Sequence, residues 1–377
     1  MDARSVRPSP ESVDTVIIGG GQAGLALGYY LARVKLNVVI LDAGDRVGDA
    51  WRKRWDSLRL FTPAKYDGLP GMPFPGDPLA FPTKDSQADY LEAYATRFAL
   101  PVRTGIRVER VRPDADGFVV EAADGCWHAA SVVLATGRGP VPVVPACADR
   151  LAPSILQLHS SDYRSPAQLD AGAVLVVGVG NSGAEIALEL SADRPVLLSG
   201  EPEGELPFRH GRNAARFALP LVRFVGTRVL TLSTPVGRKV AARFSGPPLI
   251  RTRLRDLASA GVTRVERITD AVDGRPRTAD GRTLDVANVV WCTGYREDFS
   301  VLDLPGTSAG RPDQVRGVVP AIPGLYLLGQ EFLHSATSAT LPGVRRDAKY
   351  LAAQIAARVR RRSDQAVLVG VGGRRRS

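Results

Sequence analysis

Cysteine is scarce in this chain of 377 residues: there are three, Cys126, Cys147 and Cys292, widely spaced and in no C-x-x-C arrangement. That excludes a disulfide framework and fits a reducing, cytoplasmic setting. The four histidines also lack ligand spacing, so no metal is expected. Long apolar runs are missing. None approaches the ~18 residues a membrane span needs, so no membrane partner is expected. The opening MDARSVRPSPES is polar, lacks the apolar stretch of a secretory signal, and is expected to be disordered over residues 1–12. Acidic charge is in deficit, with 39 Asp and Glu against 49 Lys and Arg, a net charge of +10. The excess is local. Residues 351–377 hold seven arginines against one acid, Asp364, which places six of the ten surplus charges there. This reads first as a solvated helix end with a flexible basic tail over 363–377, and second as a tether to nucleic acid or an acidic surface. The body is only mildly basic, and no nucleic-acid partner is expected.

What the chain does contain is one long pattern twice. Residues 15–24 read TVIIGGGQAG and residues 174–183 read VLVVGVGNSG. Each is an apolar strand running into Gly-x-Gly-x-x-Gly, then a helical stretch: Gly19, Gly21, Gln22, Ala23 and Gly24 in the first copy, Gly178, Gly180, Asn181, Ser182 and Gly183 in the second. Such glycines make a tight turn and let the backbone approach a pyrophosphate at the positive helix N-terminus. Each copy closes on a strand ending in Thr-Gly, VVLATG at 132–137 with Thr136 and Gly137, and VVWCTG at 289–294. Helices are predicted at 25–33, 86–99, 184–192 and 346–361, and second strands at 37–42 and 195–199, with an irregular basic insert over 200–260. A late strand, GLYLLGQ at 324–330 with Gly329, belongs back with the first copy. The fold expected is α/β, with two Rossmann-like, three-layer ββα dinucleotide-binding domains, the second inserted into the first. The outer domain would comprise 13–165 and 295–362, and the inserted one 166–294. Two dinucleotide sites in one chain imply that two dinucleotides meet, the plan of an enzyme passing a hydride from a nicotinamide to a flavin.

The strand ends refine this. Asp42 closes the second strand of the first copy, where a carboxylate can accept from a ribose 2′-OH. Ser199 stands at the matching place in the second copy, with Arg209 and Arg212 following. A 2′-phosphate is repelled by a carboxylate and welcomes a hydroxyl and arginine, which points to NADPH over NADH. Glu201, two residues on, could reverse that preference. The segment after Asp42 contains no cysteine, so there is no disulfide beside a flavin, and electrons leave for oxygen or a one-electron partner. Trp51, just after Gly48, is a candidate flavin neighbour.

Gly48-x-x-Trp51, RWDSLRLFTP (54–63), LPGMPFP (69–75), LQLHSSDYRSP (156–166), GVGNSGAE (178–185), VVWCTGYREDF (289–299) and PGLYLLG with LPGVRRDA (323–348) together resemble the class B flavin-containing monooxygenases, including the CzcO-like flavoproteins and the YUCCA enzymes. The resemblance covers nearly all of 13–360. It implies FAD in the outer domain, NADPH in the inserted one, and monooxygenation of a small organic substrate by O2 through a flavin C4a-(hydro)peroxide. It also places His159 and Tyr163 in a linker fingerprint, here with Pro153 and Ile155 where Phe and Gly are usual. Two further departures are the lack of any Asn between Asn37 and Asn181, where hydroxylating members carry one, and Gln330 in place of the acid common after the closing glycine. The alternatives are an NAD(P)H:acceptor reductase, an uncoupled NADPH oxidase and a non-enzymatic flavoprotein. Substrate walls are expected in irregular segments such as 60–82, 205–250 and 332–342. The sequence assigns no catalytic residue, substrate or oligomeric state.

Overall fold

The structure, a computed structural model, describes residues 10–373 apart from 138, 140, 245, 308 and 309, and from 363 onward it describes the backbone alone. The first sheet is built from β1 (Glu11–Ile18), β2 (Val38–Leu41), β3 (Val102–Arg103), β4 (Val108–Asp114), β5 (Gly117–Ala122) and β6 (Gly125–Leu134), in the order β3-β2-β1-β6-β5-β4. β1 is parallel to both β2 and β6, with Ile17 opposite Ile40 and Val133. Both faces of this centre are covered, so its strands are apolar without alternation: Val16, Ile17, Val132 and Val133 are fully buried. β6 divides its length. One edge runs parallel to β1 from Trp127 to Leu134; on the other edge the first half pairs antiparallel with β5, leaving Val132–Leu134 for a strand that arrives late in the chain.

On one face lie α1 (Gln22–Arg33), the short α2 (Asp49–Arg52) and α3 (Lys84–Arg97). α3 begins two residues before its apolar pattern does, because the Thr83 hydroxyl accepts from Ser86 N–H at 3.1 Å and caps it. The other face is closed by Phe118 and Trp127 of the meander with Phe299, Leu302 and Leu304.

After a crossing strand, β7 (Val141–Pro142), the chain enters the second sheet through β8 (Leu156–His159), β9 (Val174–Val177), α4 (Asn181–Leu190) and β10 (Val196–Ser199). Then come α5 (Leu219–Phe224), α6 (Pro235–Ala241), α7 (Leu254–Ser259), β11 (Thr263–Val265), the hairpin β12 (Ile268–Val272) and β13 (Arg275–Thr278), and β14 (Asn288–Trp291). The sheet order is β11-β10-β9-β14-β8. This corrects the expected boundary at 165. β8 pairs with β14, His159 opposite Trp291, because β14 otherwise presents an open edge and Leu156 and Leu158 pack into that core. The insert is less irregular than expected. Residues 214–229 are helical, with π-helical turns at Ala214–Ala218 and Val225–Val229 on either side of α5. Pro220 has no N–H to give and disrupts regular α winding there.

The chain returns through β15 (Tyr295–Arg296), antiparallel to β7, and β16 (Leu325–Leu327), which pairs with Val132–Leu134 of β6. α8 (Leu341–Gly373) then packs Leu351 and Ile355 against Leu25 and Leu31 of α1. Two expectations about the termini are corrected. Glu11 and Ser12 are not disordered but pair with Trp127 and His128, while residues 1–9 lie outside the described residues. A tail does not begin at 363: the backbone stays helical to Gly373, since extending a formed helix costs far less than starting one, and 374–377 lie outside the described residues.

Candidate active site

The two glycine loops have the same geometry. Gly19 has φ of +111°, and a Cβ there would lie 2.5 Å from the Ala135 carbonyl oxygen. At Gly24 a Cβ would lie 2.0 Å from the Gly19 oxygen. The second loop repeats both, with Gly178 at φ +108° and 2.4 Å from the Cys292 oxygen, and Gly183 at 1.9 Å from the Gly178 oxygen. The outer glycines therefore let strand, turn and helix pack. The middle ones differ. Gly21 and Gly180 have ordinary φ of −76° and −84°. A Cβ on either would meet nothing within 4 Å. No side chain caps α1 or α4, so the first-turn N–H groups face that open floor. An uncapped helix start with clear space in front of it fits a pyrophosphate.

Around the first loop the structure brings together the residues singled out from sequence. Asp42 accepts from Gly20 N–H at 2.5 Å and Gly44 N–H at 2.8 Å. The carboxylate thus shapes the loop, and its remaining lone pairs are available to a ribose hydroxyl. Trp51 donates its indole N–H to Gln22 at 3.2 Å. Gly329 has φ of +80° and packs on Ala23, where a Cβ would come within 2.9 Å of the alanine methyl. Thr136 and Gly137 follow Ala135 at the mouth, Thr136 exposed. Gln330 is buried beside this floor with its carbonyl oxygen unpartnered. Gly48 serves the contact with α3, since a Cβ there would strike the Ala88 oxygen at 2.6 Å.

The second loop needs three corrections among side chains. Ser199 is buried, donates to the Glu266 carbonyl at 3.0 Å and accepts from Ile268 N–H at 3.0 Å, so its hydroxyl is used internally and does not face a ligand. Asn181 spends its amide on the insert, donating to Pro248 O at 3.0 Å and accepting from Ile250 N–H at 2.9 Å. Ser182 stays in the first turn of α4. Arg209 is exposed on the insert, whose neighbouring residues His210 and Arg212 contact Phe61 and Asp77. The arginine at the end of β10 is instead Arg264. It donates to the Gly200 carbonyl at 2.8 Å and pairs with Glu201 at 2.7 Å. Its one sequence signal is a place on β11, which runs parallel to β10 with Arg264 opposite Leu198.

Between the sheets, His159 and Tyr163 are structural. His159 Nδ1 accepts from Ser161 N–H at 3.1 Å, so Nε2 donates to the Gly294 carbonyl at 3.2 Å, and burial holds its pKa below the usual value. Tyr163 is buried and donates to Glu189 at 2.8 Å. Arg54 reaches the Tyr295 hydroxyl at 3.1 Å, joining the Trp51 segment to the second Thr-Gly turn. Cys292 packs beneath Gly183, and burial pushes its thiol up to about 12. The three cysteines form no disulfide.

The three irregular segments expected to wall a substrate site meet. Lys65 donates to Ala215 O at 2.7 Å, and Leu232 N–H to His334 O at 2.8 Å. Arg251 reaches both Arg59 O at 3.0 Å and Glu185 at 3.1 Å. Burial, offset by Arg251, raises the Glu185 carboxyl to about 7. A cavity of about 450 Å³ is lined by the first of these segments, through Ala64, Lys65, Leu69, Met72 and Phe74, and by Arg345 of α8. Asp67, in the same segment between the lining residues Lys65 and Gly68, is not marked by any sequence pattern. It is fully buried, accepts from the Thr62 hydroxyl, and leaves its other oxygen unpartnered. Burial pushes it up to about 8 from 3.8. The folded chain thus holds a proton that the unfolded chain releases, so this group's contribution to stability falls as pH rises from about 4 to about 8. Asp67→Asn is expected to match the parent near about pH 5 and to exceed it by about 4 kcal/mol near about pH 9, about three pH units at ~1.4 kcal/mol each, read by urea unfolding. A parent whose stability is flat over that range would remove the buried, protonated carboxyl.

A family model described as pyridine nucleotide-disulphide oxidoreductase matches residues 16–197. An uncharacterized CzcO-like oxidoreductase of Geobacillus kaustophilus is 37% identical over 350 residues, 90% of this chain and 97% of the relative. The probable indole-3-pyruvate monooxygenase YUCCA8 of Arabidopsis thaliana is 29% identical over 75% of each chain. Among solved structures, a flavin-containing monooxygenase from Stenotrophomonas maltophilia is similar with a TM-score of 0.74 and 32% identity, over 92% of this chain and 99% of that one. Matched over about nine tenths of its length by the CzcO-like relative and the solved monooxygenase, with both glycine loops intact and no disulfide between them, the chain belongs to the class B flavin-dependent monooxygenase family, alongside the CzcO-like oxidoreductases.

Proposed function

We propose that the chain is an FAD- and NADPH-dependent monooxygenase of a small organic substrate, with FAD on the Gly19–Gly24 loop and NADPH on the Gly178–Gly183 loop. The observation that carries this is the duplicated open floor at Gly21 and Gly180, each before an uncapped helix. Held by the Gly19–Gly24 loop and Asp42, FAD would supply the hydride acceptor for NADPH and the means of activating O2, with one oxygen atom going to substrate and the other to water. The chain's own residues bind, orient and shield. Asp42 and Gln22 fix the first loop and Trp51 beside it. The insert, tied at Asn181, Arg251 and His210, covers the approach from solvent. Excluding water there favours oxygen transfer over loss as peroxide. The test is NADPH consumption under O2 with peroxide measured, alone and with candidate substrates. Oxygenated product with less peroxide supports the reading. Stoichiometric peroxide with every substrate makes the chain an oxidase, and oxygen-independent turnover with a quinone makes it a reductase.

Arg264 is the residue proposed to meet the 2′-phosphate, releasing Glu201 to solvent when NADPH binds. Arg264→Gln is expected to raise the half-saturating NADPH concentration about tenfold and leave NADH unchanged, about 1.4 kcal/mol of lost binding. Ser199→Ala should lower stability by about 1 kcal/mol without altering the NADPH-to-NADH ratio, because its hydroxyl bonds only backbone. Anaerobic flavin bleaching with each nucleotide measures both. A ratio that moves with Ser199 and not Arg264 would restore the sequence assignment.

A further inference from the structure

The stretch between Glu205 and Asp256 contains eleven Lys and Arg and no acid. The helical run around α5 within it has two apolar sides. One packs inward, Ala214, Ala215 and Leu219 against Leu79, Phe81 and Phe208. The other faces solvent: Phe217 is 70% exposed, Leu221 64% and Phe224 57%. Their spacing of four and three residues puts them along one helix face. Of the eleven large apolar side chains exposed among the described residues, six lie between Phe217 and Val236. Scattered exposed apolar residues are ordinary, but a cluster of this kind marks a surface that something covers. Beside Phe224 a groove of about 590 Å³ opens between this run and the start of α8. Arg223, Arg228, Arg345 and Lys349 line it with Tyr30, and no acid does. All four of those cations are solvent-exposed. Arg346 fixes the groove's shape by donating to Thr227 O from α8.

We propose that this face docks on an anionic lipid surface, with Phe217, Leu221 and Phe224 entering the headgroup layer while Arg223, Arg228, Arg345 and Lys349 meet lipid phosphates. The charge decides the occupant. A second copy on the same face would bring cations onto cations. A nucleic acid would satisfy the cations and leave the Phe and Leu side chains in water. An anionic bilayer offers negative charge and apolar depth together. The attachment is to one leaflet: no helix among the described residues is long and apolar enough to cross a membrane. The expectation of no membrane partner rests on the lack of long apolar runs, which a short face on a folded insert does not produce.

The holoenzyme is tested by co-sedimentation with vesicles of phosphatidylcholine alone and of phosphatidylcholine with phosphatidylglycerol. Binding is expected to be at least about tenfold stronger on the anionic vesicles and to fall with salt. Phe217→Ser with Leu221→Ser, and separately Arg223→Gln with Arg228→Gln, should each weaken it about tenfold or more. Flavin content and melting temperature should be unchanged in both, which separates lost docking from lost folding. Three results would overturn the proposal: equally weak binding to both vesicles, binding that neither variant alters, or a parent dimer in sedimentation velocity that Phe217→Ser with Leu221→Ser turns into a monomer. The last would assign the face to a second copy.

Discussion

Gly21→Val is expected to purify as a folded protein without flavin. The backbone at Gly21 has φ of −76°, which valine adopts freely. Nothing in the chain stands within 4 Å of the position a Cβ would take, so the fold has no quarrel with the substitution. The new side chain fills only the floor in front of α1, the place proposed for the FAD pyrophosphate. Affinity should fall at least ~100-fold, about 2.7 kcal/mol. Flavin absorbance per protein measures the loss, and circular dichroism with thermal unfolding shows the fold is kept. Gly24→Ala supplies the contrast. Its Cβ would lie 2.0 Å from the Gly19 oxygen, so flavin and fold should be lost together. A Gly21→Val protein holding stoichiometric FAD would remove the flavin from this loop.

Gly180→Val should divide the chemistry at the second loop. Its backbone is as permissive, φ −84°, and its Cβ as unobstructed. Flavin content should therefore stay at the parent level while anaerobic bleaching by NADPH slows at least ~100-fold at low nucleotide. A second effect follows on the oxidative side. In the parent, NADP+ should prolong a transient seen when reduced enzyme meets O2, because a nucleotide held on this loop helps keep water out. In Gly180→Val the nucleotide should give no such protection. Bleaching at the parent rate would place the nicotinamide elsewhere, and parent reoxidation in one phase regardless of NADP+ would favour the oxidase and reductase readings.

How much could be read in advance depended on how local the cause was. Gly19, Gly24, Gly178 and Gly183 are legible because their need is set by backbone within the motif and by the Thr-Gly strand it always meets. Asp42 is legible because a strand end beside a glycine loop leaves its carboxylate few places to go. Ser199 misled for the opposite reason. Its position on β10 was foreseen, but the direction of its hydroxyl was decided by Glu266 and Ile268, which follow a different strand. Arg264 was hidden by the same distance, since only the parallel pairing of β11 with β10 brings it to the strand end. Asn181 looked like a ligand residue by its place in the loop, yet its amide was claimed by Pro248 and Ile250 of the insert. Asp67 carried no pattern at all. Its elevated carboxyl is a product of burial, which no run of neighbouring letters encodes.

The pairing of β16 with β6 has a consequence for how the protein is made. The first sheet starts at Glu11 but acquires its last strand at Leu325 and its covering helix from Leu341. The inserted sheet, from β8 to β14, is fully synthesised by Trp291. Translation therefore delivers the middle of the protein before it can close the outside, and a nascent chain whose β14 has just cleared the ribosome can complete its second sheet while the first is still open. In that nascent chain Leu25 and Leu31 of α1 lack the α8 side chains that bury them, and Ala23 lacks Gly329. Flavin loading then belongs to the moments after release, and chains cut short before residue 325 present a bare apolar helix face to the cell's proteases.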